Sequence, residues 1–191
     1  AAELGALEPF QNGYLGATWN DALAAFGDGR AAMILSFENT GRTQISNSTD
    51  GKGLAEDNIG RFAFPVIEGA PGVVTDNMGG LTGWAVTKDA PPETEKFLEY
   101  YTSPDVARRI SEVQKVIPVT IGVADSITDP LLKSSAEALA DETWHQNYLD
   151  QDLGPNVGAV VNDMSVAIVS GATSPEDAAQ QIQDTYELEN M

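Results

Sequence analysis

Trp144, Tyr148 and Gln151 stand at i, i+4 and i+7, with Asn147 and Asp150 beside them. If the segment is helical, that spacing puts all three on one face. Flat rings beside planar hydrogen-bonding groups suit a sugar, whose C–H faces stack while its hydroxyls need donors and acceptors. The same spacing also describes an aromatic stripe packed in a core or against a partner helix. Asp150 and Asp152 suggest paired carboxylates for glycoside chemistry, but residues i and i+2 of a helix point about 200° apart and cannot flank one bond. They read instead as a solvated acidic helix end. Gly79-Gly80, after Asp76-Asn77-Met78, lets the backbone approach either a ligand or another segment closely. Trp84 reads as a core residue and Trp19 as a hydrophobic anchor at a helix start.

Other chemistries lack their residues. His145 is the single histidine and there is no cysteine, so thiolate or HExxH metal sites and thiol nucleophiles are excluded. Gly27-Asp28-Gly29-Arg30 lacks the Gly-Lys-Ser/Thr ending of a phosphate-binding loop, and no G-x-S-x-G elbow occurs. Asn47-Ser48-Thr49-Asp50-Gly51 lacks the alternating carboxylates and closing Glu of a calcium loop. Its Asn47-Ser48-Thr49 matches a glycosylation sequon, a pattern short enough to arise by chance. Nothing here supports catalysis, and no cofactor or metal is expected.

The elements that must position these residues alternate between helix and strand signals. Thr18-Trp19-Asn20-Asp21 has capping-box spacing and opens a helix bearing Leu23 and Phe26, closed by Gly27 and Gly29. Ala31–Leu35 reads as a buried strand, and residues from about Thr40 to Asn58 as a polar surface loop. Phe62–Val66 is extended, with a proline that argues against a central strand. Glu68–Gly72 is a turn and Leu81–Val86 the next strand. Pro91-Pro92 introduces a helix with Phe97, Leu98 and Tyr101 on one face. Ser103-Pro104 restarts another, with Ser as N-cap and Val106, Ile110 and Val113 as its stripe. After an irregular stretch from Ile117 to Ser126, Asp129-Pro130 begins a long helix running to about Asp152. Val157, Val160, Val161, Met164 and Ile168 fall at helical spacing after Gly154-Pro155. A last helix, capped at Ser174-Pro175, carries Ala178, Ile182 and Tyr186.

Composition narrows the partners. The 191 residues hold 29 acidic and ten basic side chains, a formal charge of −19. That field repels phosphate backbones and anionic lipid, and the scattered basic residues form no patch, so nucleic acid is excluded as a partner. A 42% hydrophobic share fits a folded chain of one domain or two small lobes. No apolar run reaches the roughly 18–20 residues of a membrane span. Ala1–Gly5 has no basic n-region and reads as a mature end or an internal cut.

Read in order, several segments resemble the C-terminal half of family 1 extracellular solute-binding proteins, the maltose-binding-protein-like receptors of ABC importers. They are Phe26-Gly27-Asp28-Gly29-Arg30-Ala31-Ala32-Met33-Ile34, then Phe64-Pro65-Val66 with Gly69, then Gly79-Gly80 and Trp84-Ala85-Val86. Lys96–Pro104, Ile117-Pro118-Val119 and Ser170–Ala178 complete the series across nearly the whole chain. The resemblance implies an α/β, periplasmic-binding-protein-like fold of type II, with two lobes joined by hinge crossings. Residues 1–64 and 127–191 would be second-lobe material and 65–126 would return to the first lobe. The missing N-terminal half of the receptor would be a partner, together with ABC permease subunits and a mono- or oligosaccharide. Location would be periplasmic or extracellular, with a membrane-anchored lipoprotein as one form.

The resemblance also implies site residues. The loop after Met33 would face the cleft, where the family often has Gly and an aromatic residue. This chain has Ser36-Phe37-Glu38-Asn39, so Phe37 would replace the stacking ring while Glu38 and Asn39 bind hydroxyls. Asn77, Met78, Gly79 and Gly80 would form the first-lobe contact, and Trp144, Tyr148 and Gln151 would line the ligand near the hinge. The expectation is a non-catalytic binding module; the alternative is a structural or interaction domain with no small-molecule ligand.

Overall fold

The structure, a computed structural model, describes residues 1–80 and 82–190. In chain order the elements are α1 (Ala2–Ala6), α2 (Trp19–Gly27), α3 (Thr40–Asn47), β1 (Asp76–Gly79), α4 (Glu93–Tyr101) and α5 (Pro104–Gln114). Then follow α6 (Pro130–Ala140), β2 (Trp144–Asn147), α7 (Leu149–Asp152), α8 (Pro155–Val169) and α9 (Pro175–Glu189). β1 and β2 pair in a two-stranded sheet. The chain divides into two compact units. Unit 1 is Ala1–Gly16, Asn77–Leu81 and Trp144–Met191, and unit 2 is Ala17–Asp76 and Thr82–Thr143.

Unit 2 begins with the expected capping box. The Asp21 backbone N–H donates to Thr18 Oγ1 at 3.2 Å, and Thr18 N–H donates back to Asp21 Oδ2 at 2.8 Å. Two otherwise orphaned donors at the start of α2 are thereby satisfied. Leu23, Ala25 and Phe26 are buried, joined in the core by Ala107, Val123, Ile127 and Leu132. At the end of α2, Asp28 accepts from the backbone N–H and hydroxyl of Thr49, both at 2.7 Å, and from Arg30 at 3.1 Å. The Thr49 hydrogen bonds, with a smaller contribution from Arg30, hold its carboxyl below the ordinary aspartate range.

The first part of the polar stretch expected as a loop, Thr40–Asn47, is helical, while the residues after it are mostly turn and irregular backbone. That first part is α3, and the reason is Gln44, a polar residue wholly removed from water. Its Nε2 donates to the carbonyls of Gly41 at 3.2 Å and Leu54 at 3.1 Å, and its Oε1 accepts from Leu54 N–H at 2.8 Å. Burying an amide is tolerable only with its hydrogen bonds made, and these are made. Gly53, at φ +63°, passes so close that a Cβ there would lie 2.1 Å from Gln44 Oε1.

Two other expectations fail in unit 2. Ala31–Leu35 is irregular, with a bend at Ala32, and joins no sheet among the described residues, and Met33 and Leu35 stay 72% and 77% exposed. Alternation supplies a candidate strand, but only a neighbour's ladder makes one. Residues 82–86 are likewise irregular, leaving Trp84 exposed instead of in a core; Leu81, the first residue of that expected strand, lies outside the described residues. Trp84 meets Tyr101 edge-on at 5.7 Å, and Phe97 lies 5.8 Å from Tyr101, so α4 has the expected aromatic face. Ser103 occupies the N-cap position of α5, but its hydroxyl donates to Tyr100 carbonyl at 2.6 Å instead of capping the helix.

In unit 1, α8 and α9 pack together around Val157 and Ala178, both fully buried. Ser174 caps α9 as expected, its hydroxyl accepting from Asp177 N–H at 3.0 Å. α7 lies tight on α8, where a Cβ on Gly158 would sit 2.1 Å from the Asp150 carbonyl oxygen. Glycine is required there for space, not for backbone conformation.

Candidate functional site

The expected single helix from Asp129 to Asp152 is three elements. α6 ends at Ala140, Trp144–Asn147 is the strand β2, and only Leu149–Asp152 is helical again. Thr143, still in unit 2, donates its N–H to the Thr75 carbonyl at 3.1 Å, and the two threonine hydroxyls are 2.7 Å apart. A partner distant in sequence therefore breaks the helix where no Gly or Pro does. The i, i+4, i+7 argument for Trp144, Tyr148 and Gln151 is thereby overturned.

Tyr148 and Gln151 nevertheless meet the Gly79-Gly80 pair at the end of β1, for a different reason. A Cβ on Gly80 would stand 2.9 Å from Tyr148 Cε2 and 3.5 Å from Gln151 Oε1. A Cβ on Gly79 would stand 3.3 Å from His145 Cε1. Neither glycine has positive φ, so the pair provides room and not an unusual backbone. What comes close is another segment of the same chain: the rings of His145 and Tyr148 rest on the glycine backbone. His145 Nε2 is 3.3 Å from the Gly79 carbonyl oxygen. Since a carbonyl only accepts, that nitrogen carries the proton in this contact.

Around this corner the side chains differ in what they offer. Trp144 and Met78 are exposed at 56% and 59%, while Asn77 Oδ1 accepts from Met78 N–H at 2.9 Å. The indole and the thioether are each accessible, and Asn77 and Gln151 supply amides. Asp150 accepts from Asn162 Nδ2 at 3.2 Å, which ties α7 to α8. His145 was not among the expected site residues; its place follows only from strand pairing, which local sequence does not display.

Phe37, Glu38 and Asn39 belong to unit 2 and make a second group. Phe37 lies 5.4 Å from the Trp19 ring, and both rings are about half exposed, so Trp19 is a partner of Phe37 and not a core anchor. Glu38 and Asn39 border a cavity of about 110 Å³, with Arg42, Glu56, Lys115 and Leu132 among its other walls. Lys115 Nζ is 3.5 Å from Asp129 Oδ2, and Arg42 donates to the Gln114 carbonyl at 2.9 Å. Those cations are thus engaged by the frame of the cavity. A wider hollow in unit 1, about 650 Å³, is lined by Asp152, Leu153, Gly154, Tyr186, Glu189 and Asn190 and gathers none of the expected site residues.

Among the described residues no cluster of three or more His, Cys, Asp or Glu has metal-binding geometry, and no helix is long and apolar enough to cross a membrane. Asn47–Gly51 is instead a helix end and turn, in which Asp50 Oδ1 accepts from Lys52 N–H at 2.9 Å.

The sequence profile of the bacterial extracellular solute-binding proteins matches residues 7–140, more than two thirds of the chain. That stretch contains Phe37–Asn39 and Asn77–Gly80 and stops before Trp144. No individual curated protein matches the chain. With a match of that extent, the chain belongs to the bacterial extracellular solute-binding proteins.

Proposed function

We propose that the chain supplies binding surface for a carbohydrate in the substrate receptor of an ABC importer, and that it holds its ligand without transforming it. The observation that carries this reading is the meeting of Gly80, at the end of β1, with Tyr148 and Gln151, while Trp144 on β2 keeps its indole exposed. An exposed ring can stack on sugar C–H faces while the amides of Asn77 and Gln151 meet hydroxyls. Phe37, tilted against Trp19, with Glu38 and Asn39 at the edge of a cavity, offers the same combination in unit 2.

On this reading the molecule is a type II, maltose-receptor-like clamshell, in the periplasm or anchored outside the cell, that delivers to permease subunits. Segments 1–64 and 127–191 would contribute to one lobe and 65–126 to the other. The exposed apolar residues Phe62, Phe64, Val66, Trp84 and Val86 are surface that such a receptor would cover with further lobe structure. Closure favours the bound state only through contacts stronger there than in the open state, so no bond-making chemistry is needed.

The test is substitution in the full-length receptor. Trp144→Ala is expected to weaken binding by about 1–3 kcal/mol, as for an aromatic anchor in an interface. Calorimetric affinity unchanged from wild type, with the fold intact, contradicts a ligand-stacking role for that ring.

A further inference from the structure

We propose that His145 is a positioning residue for the unit 1 surface, its Nε2–H holding the Gly79 carbonyl and so fixing β1 against β2. The functional consequence rests on the solute-binding reading above; the clamp itself does not. A sheet of two four-residue strands is weak alone, so side-chain-to-backbone contacts weigh heavily in holding its register. Here such contacts are concentrated at one corner. The imidazole lies against Gly79, with Nε2 3.3 Å from its carbonyl oxygen, and the Tyr148 ring fills the space over Gly80. The ring pair explains why two consecutive glycines with ordinary φ stand at this place. Asn77 and Met78 precede the clamped carbonyl on β1, and Trp144 precedes His145 on β2. Loosening the clamp therefore frees both strands that carry candidate ligand contacts. His145 is itself exposed, so replacing it opens no core cavity.

The experiment compares His145→Ala with His145→Gln, whose amide can again donate to the Gly79 carbonyl. Hydrogen exchange at the Met78–Gly80 amides is read first, and affinity for a panel of mono- and oligosaccharides second. Removing the clamp should speed exchange by about threefold or more, since local opening sets the rate, and glutamine should restore it to within about twofold. Affinity should fall with Ala and recover with Gln. Exchange unchanged in the Ala variant, or Gln as impaired as Ala, overturns the clamp. Faster exchange with unaltered sugar affinity overturns its positioning role. A wild-type receptor that binds no sugar but shows the exchange pattern upholds the clamp and removes the solute reading instead.

Discussion

Gly80 and Tyr148 meet so closely that their energies cannot be independent. A methyl at Gly80 would lie 2.9 Å from the Tyr148 ring, so one of the two must move. Gly80→Ala is expected to cost about 1–3 kcal/mol, the usual penalty for forcing extra atoms into a filled space. In a Tyr148→Ala background the same change should cost well under half as much. Urea denaturation of the four species checks this; additive losses would mean that the ring is not what excludes a side chain. Asp28 makes a different residue-scale prediction. Its folded-state pKa is lowered, chiefly by the Thr49 hydrogen bonds, so its stabilising contribution is complete above the unfolded-state value near 3.9 and fades as pH falls through the folded-state value. Asp28→Asn should therefore be less stable than wild type at pH 7, with the difference shrinking toward pH 3. A gap that is constant with pH would show that ionisation of Asp28 is not the source.

Elements were legible where their signals are local. The Thr18–Asp21 box, Pro104 opening α5, and Ser174-Pro175 opening α9 all stand in the sequence and in the structure. α3 was hidden because what it buries is polar: Gln44, and Ser48 at its C-cap, stand where periodicity looks for Leu or Val. The break after α6 was hidden because Thr75 and the β1 strand impose it from some seventy residues away. The candidate site shares that fate: Trp144, Tyr148 and Gln151 were grouped on helical geometry that does not exist, and Tyr148 and Gln151 meet instead at Gly80, a contact that local sequence does not display. Ala31–Leu35 and residues 82–86 failed in the opposite sense, as strand patterns that meet no partner strand among the described residues. The buried amide gives the sharpest test at this scale. Gln44→Met keeps the volume but leaves the Leu54 N–H and carbonyl without partners, and should cost about 2–4 kcal/mol. Thr18→Ala removes a surface cap and should cost about 1 kcal/mol. Denaturation midpoints should rank the two in that order; the reverse order would show that Gln44 is not the anchor of α3.

For the whole molecule, charge and family membership bear on different properties. A formal charge of −19 repels itself in the folded state more than in the expanded one. Raising sodium chloride from about 10 mM to about 0.5 M should therefore raise the melting temperature, because the screening length falls from tens of ångströms to a few. Family membership makes solute binding the property on which the account depends, with Trp144 and Phe37 as its rings in the two units. The most direct measurement is isothermal titration calorimetry of the full-length receptor against mono- and oligosaccharides, repeated with Trp144→Ala and Phe37→Ala. Saturable binding of at least one sugar, weakened about fivefold or more by each substitution, is the predicted result. No heat of binding with any sugar, or binding indifferent to both rings in folded variants, would contradict the account.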